Sequence, residues 1–167
     1  MEAILENKAV DHAPVMVKMV LDSWNKLLGE FDAALDAATD EQLQNQIAPN
    51  KNRGIYVLGH MVAVHDDILP ILGFGELVYP EINEVFKAPD DVNAKMPSAQ
   101  VLRGYWKNIN AVLAKNFAEL TPEQWFEKHN AVSAEDFAKQ PHRNKLNVMI
   151  TRTCHVAHHL GQIKWVQ

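Results

Sequence analysis

Three histidines stand within five positions of the segment TCHVAHHLGQ, residues 153–162. On an α-helix, residues four apart lie on one face, so His155 and His159 would project side by side and reach one ion. His158 is rotated by about 100° from His159 and points elsewhere. Neutral imidazoles bind zinc, nickel, copper and iron, so the pair is a candidate part of a transition-metal site.

Two familiar metal motifs do not fit this pair. The zinc-protease motif has glutamate directly after the first histidine, whereas Val156 stands there. The two-iron carboxylate bundle has glutamate three residues before a histidine, and no histidine of this chain follows that pattern. Cys154 is the single cysteine, which excludes an internal disulfide framework and a cysteine-rich zinc site. We expect its thiol to be buried and inert.

The third ligand that we predict is His60, in the segment VLGHMVAVHDD. It would lie about 12 Å from the start of its helix, and the pair about 9 to 15 Å from the end of the last helix. The three histidines therefore reach one level only if these two helices are antiparallel. We interpret the remaining histidines as surface or partner-bonded residues: His12, His65, His129, His142 and His158.

Three further side chains are candidates for the surroundings of the site. Gln162 and Arg152 lie about one turn on either side of the pair, on roughly the same face. Gln162 could orient a ligand or a bound water, and Arg152 could hold a carboxylate; a surface amide and a surface charge are the alternatives. Tyr56 shares the face of His60, where it could line a pocket or simply pack. Asp67 lies too far along that helix to be a ligand.

Four helical segments must position these residues, because apolar side chains recur every three to four positions and no stretch alternates with the period of a strand. Their apolar stripes include Met16, Val101 and Ile150, which we expect to be buried. Thr39 and Gln42 form a capping-box pattern in one of the connections. The predicted helices are residues 14–37, 52–72, 98–120 (with Ser98 as the cap) and 142–165, with short helical turns in 38–51 and 121–141.

The metal hypothesis also predicts a topology. Helices two and four would be parallel in an up-down-up-down bundle, so one later connection must cross the length of the bundle. The link 73–97 can extend to about 80 Å, which is ample for a bundle of about 30 Å. We therefore predict one all-α domain over residues 1–167, a four-helix bundle ordered up-down-down-up with a long crossover between helices two and three.

Composition excludes several classes of partner. The chain has 167 residues and a formal net charge of -5, with lysine and arginine scattered among acidic residues, so no basic stripe could hold nucleic acid. Glu2, Glu6 and Asp11 stand where a signal peptide needs a basic end and an apolar run. No later stretch is expected to match a membrane span of about 20 apolar residues. These features predict a cytoplasmic protein without a membrane partner.

At this point a family resemblance becomes specific. LGH early in helix two, followed by HVAHHLGQI near the end of the last helix, resembles the DinB/YfiT-like superfamily, which is marked by a histidine in helix two and His-x-x-x-His-x-Gly-Gln in helix four. The resemblance spans nearly the whole chain. It implies metal ligands at His60, His155 and His159, with Gly161 and Gln162 as the Gly-Gln. It further implies a four-helix bundle that binds a divalent ion such as zinc or nickel, often as a homodimer.

Some proteins of this superfamily transfer low-molecular-weight thiols such as bacillithiol, and others use mycothiol in isomerising maleylpyruvate. Three histidines leave one position open on a tetrahedral ion, where a thiol would be ionised or a water acidified. The leading hypothesis is therefore a metal-dependent enzyme that transfers a small thiol to an electrophilic small molecule. The alternatives are a hydrolase that uses metal-bound hydroxide and a non-catalytic, stress-related binding module with a structural metal.

Overall fold

The structure is a computed structural model that describes residues 11–166. The predictions made on residues 1–10, including the argument from Glu2 and Glu6, lie outside the described residues. Within residues 11–166 the regular elements are helical, and β-pairing is limited to isolated bridges. The α-helices are α1 His12–Ala37, α2 Gly54–Asp66, α3 Ile68–Leu72, α4 Asn83–Lys87, α5 Ala99–Glu119, α6 Ala134–Lys139 and α7 Lys145–Ile163.

Capping side chains set where the long helices begin. α1 begins at His12 because the carboxylate of Asp11 accepts a hydrogen bond from the first turn. α5 follows the predicted cap Ser98. α7 begins at Lys145, three residues later than predicted, because Asn144 caps it and the preceding residues form a turn. The predicted helices are thus present, with ends moved by local hydrogen bonds.

The short helical turns expected in the connections are also present. Thr39 and Gln42 exchange the two hydrogen bonds of a capping box, at 2.8 and 3.1 Å, ahead of a 3-10 turn. The connection 121–141 holds a 3-10 turn at Glu123–Phe126 and helix α6. The predicted second helix is divided into α2 and α3 at Asp67.

α2 and α3 lie in the interior of the protein. Residues Gly54–Leu72 form a 19-residue stretch with a mean hydropathy of 1.4, which matches a membrane span by length and composition. The expectation that no stretch would do so is wrong. However, 78% of that stretch is buried inside the protein, and α2 contacts α4, α5 and α7. A helix that is apolar on all sides is what a central, surrounded position requires.

The other long helices meet around this central helix. α1 packs along α7, and α2 packs along α5. The guanidinium of Arg103, near the start of α5, donates at 2.7 Å to the carbonyls of Leu35 and Ala38 at the end of α1. The prediction of a core position is wrong for Met16, Val101 and Ile150, which are exposed by 41–49%, and for Ala157, which is also exposed.

The connection between α3 and α5 is fastened to α2 by buried polar groups. The carboxylate of Asp66 accepts hydrogen bonds at 2.8 Å from the backbone N–H groups of Val78 and Tyr79. At the other end of the connection, Arg53 and Asp90 form a largely buried ion pair at 2.6 Å. These bonds hold α4, which lies between them, against α2.

The closest packing in this connection is between Gly59 of α2 and Phe86 of α4. A Cβ atom on Gly59 would overlap the Phe86 ring, which is fully buried. Glycine is therefore required for α4 to approach α2 this closely.

We expect Gly59→Ala to lower the free energy of unfolding by about 1 to 3 kcal/mol, because Phe86 must move out of a tightly packed site. The matched control is Gly104→Ala on α5, where a Cβ atom meets open space. Alanine there should be neutral or stabilising by up to about 1 kcal/mol. Urea unfolding at pH 7 measures both changes, and equal stability of the two variants would contradict the packing argument.

His65 is a fully buried histidine of α2 that forms no part of the predicted site. Its Nδ1 lies 2.8 Å from Oδ1 of Asn110, and its ring packs between Trp24 and Trp106. Of the two interpretations from the sequence, a surface residue or a partner-bonded one, the structure shows the second. Burial lowers the pKa of His65 to about 3. The unfolded chain, with a pKa near 6.5, binds this proton first, so stability is present above pH 6.5 and is lost as the pH falls towards 3.

His65→Gln should remove the proton that the unfolded chain takes up at His65, and with it one contribution to the pH dependence of stability. Between pH 6 and 4, the unfolding free energy of the wild type should fall more steeply than that of the variant, by about 1.4 kcal/mol per pH unit. Denaturant unfolding at several pH values measures the slope. The exposed His142 provides the control, His142→Gln. Parallel slopes for wild type and His65→Gln would show that His65 is not buried in its neutral form.

Candidate metal centre

Three histidines from two helices meet at one point. His60 lies on α2, and His155 and His159 lie on α7. Nε2 of His155 is 3.3 Å from Nε2 of His60 and 3.1 Å from Nε2 of His159. One nitrogen from each ring lies within 4.8 Å of the others, close enough for all three to hold one metal ion. The structure thus brings together the three residues that the sequence predicted as ligands.

The orientation of His60 is fixed by the backbone of α4. Its Nδ1 lies 2.8 Å from the carbonyl oxygen of Phe86. A carbonyl can only accept, so Nδ1 of the neutral ring carries the proton and Nε2 presents a lone pair to the cluster. Sequence reasoning missed Phe86, and no signal could have found it, because the group that acts is a backbone carbonyl brought close by the tertiary fold.

Gln162 orients His159 in the same way. Its Oε1 lies 2.7 Å from Nδ1 of His159, and its amide nitrogen lies 3.0 Å from Nε2 of His158. Nδ1–H of His159 therefore donates to Gln162, and Nε2 of His159 presents its lone pair to the cluster. Both groups of the amide are engaged by histidines, so Gln162 here orients a ring rather than a ligand. His158 is exposed, as predicted.

His155 completes the cluster. Its Nδ1 is buried and has no hydrogen-bond partner among residues 11–166. With lone pairs of His60 and His159 facing it, Nε2 of His155 can donate to only one of them. A tetrahedral zinc ion with bonds of about 2.0–2.1 Å places its nitrogen ligands about 3.3 Å apart, close to the 3.1 and 3.3 Å found here. The donor set therefore fits a divalent transition metal.

The protonation state of the cluster also suits a metal. Burial, with the neighbouring His159 and His60 as further causes, lowers the pKa of His155 to about 3. Burial lowers the pKa of His159 to about 4, and the hydrogen bond that its Nδ1–H donates to Gln162 opposes this only in part. Both rings are neutral at pH 7, which is the state that binds a metal ion.

Tyr56 lies one turn before His60 and packs beside it. Its ring is stacked on that of His60, with centroids 6.0 Å apart and an interplanar angle of 12°. Its hydroxyl donates to the carbonyl oxygens of Phe86 and Ala88. The side chain is only 6% exposed. Tyr56 thus holds α4 and the His60 ring in place, and contributes little open surface to a pocket.

Arg152 lies on the other side of the pair from Gln162. It is half-buried, and burial lowers the pKa of its guanidinium. Asp67 is the acidic group whose charge acts on it, but the Asp67 carboxylate is already paired with Lys87 at 2.7 Å. Asp67 therefore serves an ion pair and lies outside the histidine cluster. Among residues 11–166, Arg152 has no hydrogen bond or ion pair.

Two surface features lie near this site without joining it. Cys154 is exposed, so the expectation of a buried thiol is wrong: its side chain leaves α7 on the face beside Met19 and Ile150. A surface cavity of about 610 Å³ touches Gln162 and His158, but none of the three clustered histidines lines it.

Comparisons with known proteins identify the fold alone. No family model and no curated protein matches this chain. A solved structure, that of a conserved protein from Enterococcus faecalis, is similar to it with a TM-score of 0.63 over 89% of this chain and 95% of that one, at 14% sequence identity. The chain is therefore an all-helical protein of that fold, carrying a three-histidine cluster.

Gln162→Leu should release the tautomer of His159, because the acceptor for Nδ1–H is lost. Long-range proton–nitrogen NMR of the imidazoles should detect the Nδ1–H form alone in the wild type and a mixture in the variant. Affinity for zinc should fall about tenfold to hundredfold. Gln162→Glu keeps an acceptor and should restore the single tautomer. The exposed Gln100 gives the control Gln100→Leu, and an unchanged tautomer in Gln162→Leu would contradict this role.

Proposed function

We propose that this protein is a metal-dependent enzyme of the DinB/YfiT-like type, which transfers a low-molecular-weight thiol to an electrophilic small molecule. The observation that carries the proposal is the convergence of three imidazole Nε2 atoms from α2 and α7. The family assignment rests on the histidine and Gly-Gln pattern of the sequence. The choice of a thiol as substrate rests on that family resemblance.

His60, His155 and His159 would hold the ion, and zinc or nickel are the metals we propose. Two of the three rings are already locked in the tautomer that presents Nε2, so little ordering is needed when the ion binds. Three protein ligands are typical of catalytic zinc sites, which keep a further position for substrate.

In the proposed reaction, the sulfur of the thiol attacks an electrophilic carbon of the second substrate. The C–S bond forms as the leaving group departs with its electron pair, and the thiol proton passes to solvent. When bound, the cation would favour the thiolate form of the substrate. Gln162 and the Phe86 carbonyl keep the imidazoles oriented, and Tyr56 holds the segment that carries this carbonyl.

For the architecture we propose a single domain, a four-helix bundle ordered up-down-down-up, whose crossover is the segment between α3 and α5. Two observations support this order. His60, within two turns of the start of α2, meets His159, within two turns of the end of α7. The start of α5 lies beside the end of α1. By family resemblance we further propose a cytoplasmic homodimer that acts on small molecules rather than on nucleic acid or membranes.

Elemental analysis of tag-free protein tests the metal site. We expect about one transition-metal ion per chain in the wild type. His60→Ala, His155→Ala and His159→Ala should each lose tight binding while keeping their helical circular dichroism, because packing supplies most of the helix stability. The matched control, His142→Ala, removes an exposed histidine away from the cluster and should keep the metal. Equal metal content in all four variants would contradict the proposed ligands.

The thiol-transfer step is tested on the metal-loaded protein with bacillithiol or mycothiol and an aryl halide as electrophile. We expect release of halide and formation of the thioether, and loss of both in His155→Ala. Turnover of an ester in the absence of any thiol would instead favour the hydrolase. A metal site with neither activity, but with a melting temperature that falls when the metal is removed, would favour the structural alternative.

A further inference from the structure

Arg152 differs from every other arginine in the described part of the chain, because it lacks a partner. Arg53 pairs with Asp90, Arg103 with Asp40, and Arg143 lies 3.9 Å from Asp136. A half-buried guanidinium loses part of its hydration, and here no hydrogen bond or ion pair from residues 11–166 replaces it.

The position of this group relates it to the histidine cluster. Arg152 lies three residues before His155 and seven before His159, so the three side chains share one face of α7. A nitrogen of Arg152 that lacked both a partner and contact with solvent would be a buried, unpartnered atom. No atom of Arg152 in the described structure is of that kind, so its nitrogens reach solvent. They can therefore contact a ligand that enters beside the cluster.

The opposite end of this face is already occupied. Both groups of the Gln162 amide are bonded to histidine rings, so this side chain is held against the rings of His158 and His159. Within residues 11–166, no group accepts from the five N–H donors of Arg152. Near Arg152, Asp67 is the acidic group that acts on it, and Lys87 neutralises that carboxylate at 2.7 Å. The Arg152 end therefore favours an anionic ligand group.

We propose that Arg152 binds a carboxylate of the thiol substrate, so that the site selects carboxylate-bearing thiols over neutral ones. The guanidinium fork matches a carboxylate in a bidentate geometry. The thiol sulfur would then be directed towards the three Nε2 atoms while the carboxylate stays beside α7. This inference rests on the proposed thiol-transfer function and adds the class of thiol.

The test compares 3-mercaptopropionate with 3-mercapto-1-propanol, which has a similar length and no charge. Isothermal titration into zinc-loaded wild type should give at least tenfold tighter binding of the carboxylate thiol. Arg152→Gln should abolish this preference and leave affinity for the neutral thiol within about twofold. The control Arg143→Gln removes a guanidinium that faces Asp136, and should keep the preference. Equal preference in wild type and Arg152→Gln would overturn the inference.

A metal-free arm separates this inference from the proposed function. The Nε–H signal of Arg152 is followed by NMR while propionate or 1-propanol is added. A saturable shift with propionate alone supports the carboxylate site, even if elemental analysis finds no metal and the thiol-transfer proposal fails. If the protein binds metal and neutral thiol normally but neither arm depends on the carboxylate, the function stands and the role of Arg152 is refuted.

Discussion

The approach of α4 to α2 is the constraint on which the site depends. Gly59 gives the Phe86 ring room against α2, and this contact brings the Phe86 carbonyl to His60. That one hydrogen bond decides which nitrogen of His60 faces α7. If the connection between α3 and α5 were more loosely packed, the His60 ring would be free to rotate, and the cluster would lose a fixed ligand. The buried bonds of Asp66 and Arg53 hold the segment at both ends of the approach.

Burial of the clustered histidines has opposite effects on metal binding and on stability at low pH. Burial keeps His155 and His159 neutral, which favours a metal ion but makes them costly to protonate. Two of the clustered rings have an acceptor for their Nδ1–H: Oε1 of Gln162 accepts from His159, and the carbonyl oxygen of Phe86 accepts from His60. Nδ1 of His155 and the head group of Arg152 have no such partner in the described residues. At these two groups, a hydrogen-bond partner must come from a ligand or from solvent.

Much of the fold follows from the sequence, because the helices obey local rules. Ser98 caps α5 and the Thr39–Gln42 box forms as the pattern predicts, since both depend on side chains within three residues. Exposure was harder to predict. Met16 and Ile150 stand in apolar stripes but are exposed, because periodicity does not show how much of an apolar stripe the neighbouring helices cover. Likewise the hydropathy of Gly54–Leu72, the stretch that holds α2 and α3, is that of a membrane span, and only its buried position in the protein explains it.

The sequence by itself determined the three histidines and the shared face of His155 and His159, because helical spacing is a local property. It also related His60 to them, through the requirement that all three lie at one level. Only the tertiary structure decided how the His60 ring is oriented and where charge is left unpaired. Gln162 is bonded to residues three and four positions before it on α7. The approach of the Phe86 carbonyl to His60, and the lack of an ion partner for Arg152 among residues 11–166, instead depend on contacts between elements far apart in the chain. Such contacts leave no periodic trace in the order of residues.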